Sequence, residues 1–204
     1  MVAGQLSLFG HDTLGFDPRF ERAERIVLGH GAWLELVRGW ASGHARLFEL
    51  LARSVDWQEE SRTMYERAVT VPRLLGAVRR GDPAFDVVDR MRTSIGIRYG
   101  EVFDRIGLAL YRDGRDSVAW HGDYVARRME VATVATVSLG SPRRFLVRTN
   151  DGGEPARALS LGFGDLLVMG GSCQRTHEHA IPKAAVASPR IALMFRPTWP
   201  EPTP

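Results

Sequence analysis

The residues best suited to chemistry lie late in the chain, where a His-x-Asp pair, His121 and Asp123, is followed by a His-x-His pair, His177 and His179, and then by Arg190 and Arg196. Two imidazoles and one carboxylate can occupy one face of an octahedral Fe(II), leaving positions for a bidentate keto acid and for O2. That order suits an iron oxygenase. In an extended strand, residues two apart face the same side, so His121 and Asp123 can approach one metal from one strand end, with Gly122 adding no bulk between them. The third ligand must come from a distant strand that neighbours the first in space. His177 and His179 are both candidates, because they too would share a strand face.

Arg190 and Arg196 bracket the apolar run Ile191 to Phe195. An arginine pointing inward from such a strand is costly unless it meets an anion, and the carboxylates of a keto acid would supply one. For either arginine alone, pairing with an internal Asp or Glu, or a place at the sheet edge, is the better account. His11, His30 and His44 have no partner at metal-ligand spacing and read as surface or capping residues. Cys173, the single cysteine, cannot form an internal disulfide and reads as a small buried hydrophobe, in keeping with a reducing, cytoplasmic setting.

These groups need a scaffold that brings distant strands together. After Gly100 the chain runs in short apolar or alternating stretches: Val102 to Tyr111, Val118 to His121, Ala132 to Leu139, Arg144 to Thr149, Leu159 to Leu161, Leu166 to Met169 and Ile191 to Phe195. Asp113-Gly114, Gly140-Ser141-Pro142, Asn150 to Gly153, Gly164-Asp165 and Gly170-Gly171 punctuate them, and such spacing predicts a β-sandwich or barrel. Upstream, His30 to Trp40 reads as a strand. Ser42 reads as the N-cap of a helix through Ala52 that buries Leu47, Leu50 and Leu51. A second helix is predicted after Asp82-Pro83, with Phe85, Val88 and Ile95 inward. The segment between the two helices, with Trp57, Met64, Tyr65 and Val71 to Leu74, reads as irregular. The expected whole is an α+β fold: a double-stranded β-helix, or jelly roll, with N-terminal helices packed against it. Residues 1–16 are expected to be a flexible arm and 17–200 a single domain, with helices and a lid over 17–100 and the jelly-roll core over 101–200.

Composition bounds the alternatives. A chain of 204 residues with 44% hydrophobic and 25% charged residues suits one ordinary domain with one substantial core. No apolar run approaches the roughly 20 residues that span a bilayer, so no membrane role is expected. No charged segment leading into an apolar stretch with a cleavage signature opens the chain, so a secretory leader is not expected. The net charge is only +3, yet Lys183 is the sole lysine and all other basic residues are arginine. Arginine forks suit phosphate and carboxylate. Clusters such as Arg79-Arg80, Arg127-Arg128 and Arg143-Arg144 with Arg148 matter for nucleic acid only if they share a face.

Taken together, the residues resemble the AlkB family of Fe(II)- and 2-oxoglutarate-dependent dioxygenases. The resemblance is carried by Tyr111-Arg112-Asp113-Gly114, Trp120-His121-Gly122-Asp123, Val137-Ser138-Leu139-Gly140, Gly164 to Gly171, His179-Ala180-Ile181-Pro182 and Pro189-Arg190 to Phe195-Arg196. It runs from Leu108 to Pro197 and more loosely from Trp57 onward. It implies that His121, Asp123 and His179 hold Fe(II), and that Arg190 and Arg196 hold 2-oxoglutarate with Tyr111 as a hydroxyl donor. It also implies oxidative dealkylation of N-alkylated bases in DNA or RNA, with O2 as co-reactant and release of an aldehyde. A base inside a duplex cannot reach a buried iron, so the substrate is expected single-stranded or flipped out. A monomer is expected. The alternatives are a 2-oxoglutarate-dependent hydroxylase of a protein or small molecule, and a jelly roll that binds nucleic acid without turnover.

Departures from the family pattern bear on both ligands. Many members carry Asn where this chain has Ala109 and Ala192, which shifts cosubstrate binding toward the arginines. Val125 stands where members that repair methylated adenine and cytosine often carry an acid. The resemblance places a nucleotide-recognition lid upstream, and Trp57, Tyr65 and Arg73 there, with Val125, are the candidate substrate contacts. An aromatic in that lid would stack on a flipped base, contributing roughly 1–3 kcal/mol, or would simply pack the lid onto the jelly roll.

Overall fold

Alternation of apolar side chains decides the architecture. In the computed structural model the described residues are 13–64, 67–123 and 125–199, with side chains described outside 60–71. They form β1 (Gly15–Phe16), β2 (Ala23–Gly29), β3 (Ala32–Val37), β4 (Ala41–Ser42), α1 (His44–Ser54), β5 (Gln58–Met64), β6 (Arg67–Gly76), α2 (Phe85–Tyr99), β7 (Arg105–Tyr111) and β8 (Val118–His121). A short 3-10 turn at Ala126–Arg128 follows, and then β9 (Val134–Gly140), β10 (Arg143–Thr149), β11 (Arg157–Leu161), β12 (Asp165–Gly171), α3 (Cys173–Thr176), β13 (His177–Ile181) and β14 (Arg190–Arg196).

Strands β2, β3, β12, β9, β14, β7, β6 and β5, in that spatial order, make one sheet; β11, β10, β13 and β8 make a second. Period-two alternation gives the larger sheet two apolar faces. Val137, Leu139, Val168, Leu193 and Phe195 meet Leu47 and Leu51 of α1 and Val88, Met91 and Ile95 of α2 on the outside. Leu34, Leu36, Val134, Leu167 and Ala192 meet Phe145, Val147, Leu161 and Ile181 of the smaller sheet on the inside. The result is the expected jelly roll with helices on its outer face.

Glu35 docks the end of α2 on β3. Its buried carboxylate accepts from the Tyr99 hydroxyl at 2.6 Å, from Arg98 Nη2 at 2.9 Å and from Arg25 Nε at 3.0 Å. Burial alone would raise its pKa, but these donors outweigh it and hold the carboxyl below its ordinary 4.5. A depressed acid contributes stability that is present above its unfolded pKa and is lost as pH falls through the folded one. Glu35→Ala leaves two arginines facing an emptied site, and is expected to cost about 3 kcal/mol, the lower end for a buried pair because both arginines keep water contact. Urea unfolding checks this: the deficit should be full at neutral pH and shrink as pH is taken below 4.5.

Several local expectations change. Ser42 does not cap α1: it lies in β4 paired with β1, and the N-cap is Gly43 at φ 61 with no side-chain cap. A Cβ on Gly43 would lie 2.6 Å from the Thr13 carbonyl oxygen, so close approach as well as the left-handed backbone requires glycine there. The same pairing ties down Gly15 and Phe16, the latter packed on Trp40 at 4.9 Å between ring centroids, so this end of the expected flexible arm is held; residues 1–12 lie outside those described. The segment read as irregular is instead the hairpin β5–β6, which extends the edge of the large sheet through the pairing of β6 with β7. On α2, Val87, Val88, Met91 and Ile95 are buried, while Phe85 is only partly covered.

Candidate active site between the sheets

The site is built where β8 and β13 pair in the small sheet and Arg196, at the end of β14 in the large one, reaches Asp123. Antiparallel register sets His179 directly opposite His121, and their ring centroids are 4.3 Å apart. His121 Nδ1 lies 2.9 Å from the Ala119 carbonyl oxygen, and the His179 ring stacks on Phe145 at 5.2 Å. Burial lowers both imidazole pKa values, for His179 well below the usual range. The mutual proximity of the histidines and the charge on Arg196 act in the same direction on His179, and Arg73 and Arg196 do so on His121. Neutral imidazole is the metal-ligating form.

Asp123 lies just past the end of β8 rather than within it. Its Oδ1 accepts the backbone N–H groups of Val125 and Ala126 at 3.2 Å each, which starts the 3-10 turn. Its Oδ2 is 3.1 Å from Arg196 Nε, an ion pair by distance whose alignment falls short of a hydrogen bond. Among the described residues, no three His, Cys, Asp or Glu side chains stand at metal-enclosing spacing: the two imidazoles converge, and the carboxylate beside them is engaged by Arg196 and by the turn. The internal-acid alternative for an arginine on β14 is thus what Arg196 shows. His177, also on β13, is buried with Nδ1 2.8 Å from the Thr176 hydroxyl and Nε2 without a hydrogen-bond partner among the described residues. On the β10 side its register partner is Thr149, and the β13–β8 pairing that sets His179 opposite His121 does not include it.

Arg190 is the most unusual group in the interior. It is 1% exposed, its Nη2 donates to Ser138 Oγ at 2.7 Å, and its Nε and Nη1 have no hydrogen-bond partner among the described residues. Burial lowers its pKa. Register places it opposite Tyr111 on β7, and its guanidinium carbon lies 5.2 Å from that ring's centroid. Ala109 and Ala192 also face one another across β7 and β14 and are buried. Unpaired N–H groups on a cation at this depth are costly, and an entering carboxylate would satisfy them. The donor types therefore fit Fe(II) and a keto acid.

The expected substrate contacts separate. Arg73 on β6 is near enough to His121 for its charge to act on that imidazole. Val125 is half-buried in the turn beside Asp123. Trp57 is committed elsewhere: its indole N–H donates to the Ala52 carbonyl at 3.2 Å, and it packs over Gly76 against the helix-side core. Of the two readings for a lid aromatic, packing holds for Trp57; Tyr65 lies outside the described residues.

Comparisons with known proteins identify the family. The family described as the 2OG-Fe(II) oxygenase superfamily matches residues 45–196. The alpha-ketoglutarate-dependent dioxygenase alkB homolog 3 of Bos taurus is 28% identical over 177 residues, 76% of this chain and 62% of that protein. The DNA oxidative demethylase ALKBH2 of Bos taurus is 30% identical over 126 residues, 58% of this chain and 45% of the relative. The chain thus spans less than two thirds of the length of either. The solved structure of OsALKBH1 superposes with a TM-score of 0.55 at 16% identity, covering 86% of this chain and 100% of that one, a likeness of fold. With three quarters of its length inside the matched span and relatives of this kind, the chain belongs to the AlkB family of the 2OG-Fe(II) oxygenase superfamily.

Proposed function

We propose that the protein is an Fe(II)- and 2-oxoglutarate-dependent dioxygenase that removes N-linked alkyl groups from nucleobases in DNA or RNA. Its family implies Fe(II), 2-oxoglutarate and O2. The observation that carries the reading is the convergence of two imidazoles, His121 and His179, in a fold whose facing sheet carries a buried arginine, Arg190, with donors that lack hydrogen-bond partners among the described residues. Bound iron with its cosubstrate and O2 supplies the oxidising power to hydroxylate an N-alkyl carbon, whose product breaks down to an aldehyde and the free base.

The chain's own residues bind and orient. His121, His179 and Asp123 are the proposed ligands, and a cation held by the imidazoles would compete with Arg196 for the Asp123 carboxylate. Arg190, with Tyr111 across from it, takes one cosubstrate carboxylate; with alanine at 109 and 192, few other side-chain donors are at hand. Arg196 is the second cation for the cosubstrate. Arg73 presents positive charge toward the site from the lid, suited to a phosphate beside an extruded base. Val125 offers an apolar wall rather than an acceptor for an exocyclic amine. Losing one such hydrogen bond costs about 0.5–1.5 kcal/mol, which blurs selectivity among methylated bases without removing activity.

The test is direct. Purified protein with Fe(II), 2-oxoglutarate and single-stranded oligonucleotides carrying N-methylated bases should release formaldehyde in step with succinate, with a broad preference among the bases. No formaldehyde from any such oligonucleotide, with vigorous turnover on a protein or metabolite, would replace the dealkylation reading with hydroxylation of that other substrate.

A further inference from the structure

The amide of Gln174 joins two parts of the site that the sequence keeps far apart. Gln174 lies in α3, the single helical turn that leads into β13 and so into His179. Its side chain is 3% exposed, and its Oε1 accepts the backbone N–H of Asp123 at 3.0 Å. Its Nε2 rests 3.6 Å from Met169 Sδ, which leaves the amide one strong partner among the described residues, Asp123. The approach is close at the backbone as well, since a Cβ on Gly122 would lie 3.1 Å from the Gln174 carbonyl oxygen. On the other side, Asp123 Oδ1 is spent on the Val125 and Ala126 N–H groups.

Asp123 is past the last residue of β8, so no sheet ladder fixes its backbone, and its N–H would otherwise be an unpaired donor in a half-buried place. We infer that Gln174 is a positioning residue for metal binding: it clamps the Asp123 backbone to the turn ahead of His179, so that the segment carrying the carboxylate is fixed relative to β13 before any cation arrives. The inference rests on the proposed assignment of Asp123 as a ligand. Groups that orient a metal ligand from behind affect metal affinity by about tenfold to a hundredfold when removed.

The experiment titrates the metal-free protein with Co(II) alone and reads its visible absorption, with thermal unfolding of the metal-free variants alongside. Gln174→Met removes the acceptor, and Gln174→Asn withdraws it by one methylene while keeping an amide, so Asn serves if Met does not fold. Gln174→Glu keeps an acceptor oxygen at the original reach. Met and Asn are expected to weaken Co(II) binding about tenfold to a hundredfold and to alter the ligand-field bands. Glu should recover most of that affinity whatever its effect on metal-free stability. Affinity within twofold of wild type for both Met and Asn, or a Glu variant no better than they are, would overturn the positioning role. Asp123→Ala, run in parallel, separates the two ideas: if it too binds Co(II) normally, the ligand assignment fails and the positioning role falls with it.

Discussion

Alanine at either His121 or His179 is expected to reduce iron-dependent conversion of 2-oxoglutarate to succinate to the level seen without iron, while the protein stays folded. The two rings face each other across one register position, so losing either leaves a cation with a single imidazole and a carboxylate that Arg196 already engages. Neither ring anchors the core: both are only partly buried, and the main loss at His179 is its stacking on Phe145. A stability cost of about 1 kcal/mol is expected for each, typical of a single substitution. His177→Ala is the informative control. Its ring shares the strand with His179, but the pairing of β13 with β8 sets His179, not His177, opposite His121, so turnover should persist. Iron binding that survived His179→Ala and vanished in His177→Ala would make His177 the ligand in place of His179.

Which parts of this site can be read from sequence follows from how far each signal reaches along the chain. Strands β9, β12 and β14 announce themselves because both their faces are buried and their apolar runs are nearly continuous. The hairpin β5–β6 does not, because Gln58-Glu59-Glu60-Ser61-Arg62 at its start carries no apolar alternation; it is a strand through pairing with its neighbour, a tertiary cause. Ser42 has the right chemistry for a helix cap and the right place, but strand pairing with β1 claims it. His177 and His179 are equivalent in the sequence; only the register of β13 against β8 distinguishes them. The pairing of Asp123 with Arg196 and the clamp from Gln174 join residues distant in sequence. Gln174 sits in a short polar run, next to exposed Arg175, and no local property separates the buried amide from the exposed cation.

Arg190 should behave unlike an ordinary buried residue when replaced. It stands at 1% exposure, and Nε and Nη1 lack a hydrogen-bond partner among the described residues, so in the absence of an anion it is a cost to the fold that the bond to Ser138 and the contact with Tyr111 offset only in part. Replacing buried ionic groups by apolar ones of similar volume is often neutral or stabilising by about 1–4 kcal/mol. Arg190→Met is therefore expected to leave the cosubstrate-free protein as stable as wild type or more so. Binding should move the other way. Charge-assisted hydrogen bonds contribute about 1.5–3 kcal/mol, so calorimetry should show 2-oxoglutarate affinity falling by about tenfold or more. The alanines at 109 and 192 sharpen the expectation, because no amide from β7 or β14 stands at those positions to share the carboxylate. The opposite signs are what identify a ligand-binding cation: a variant that lost stability and kept normal affinity would make Arg190 a structural pin between Ser138 and Tyr111, and the cosubstrate's anchor would have to be sought at Arg196.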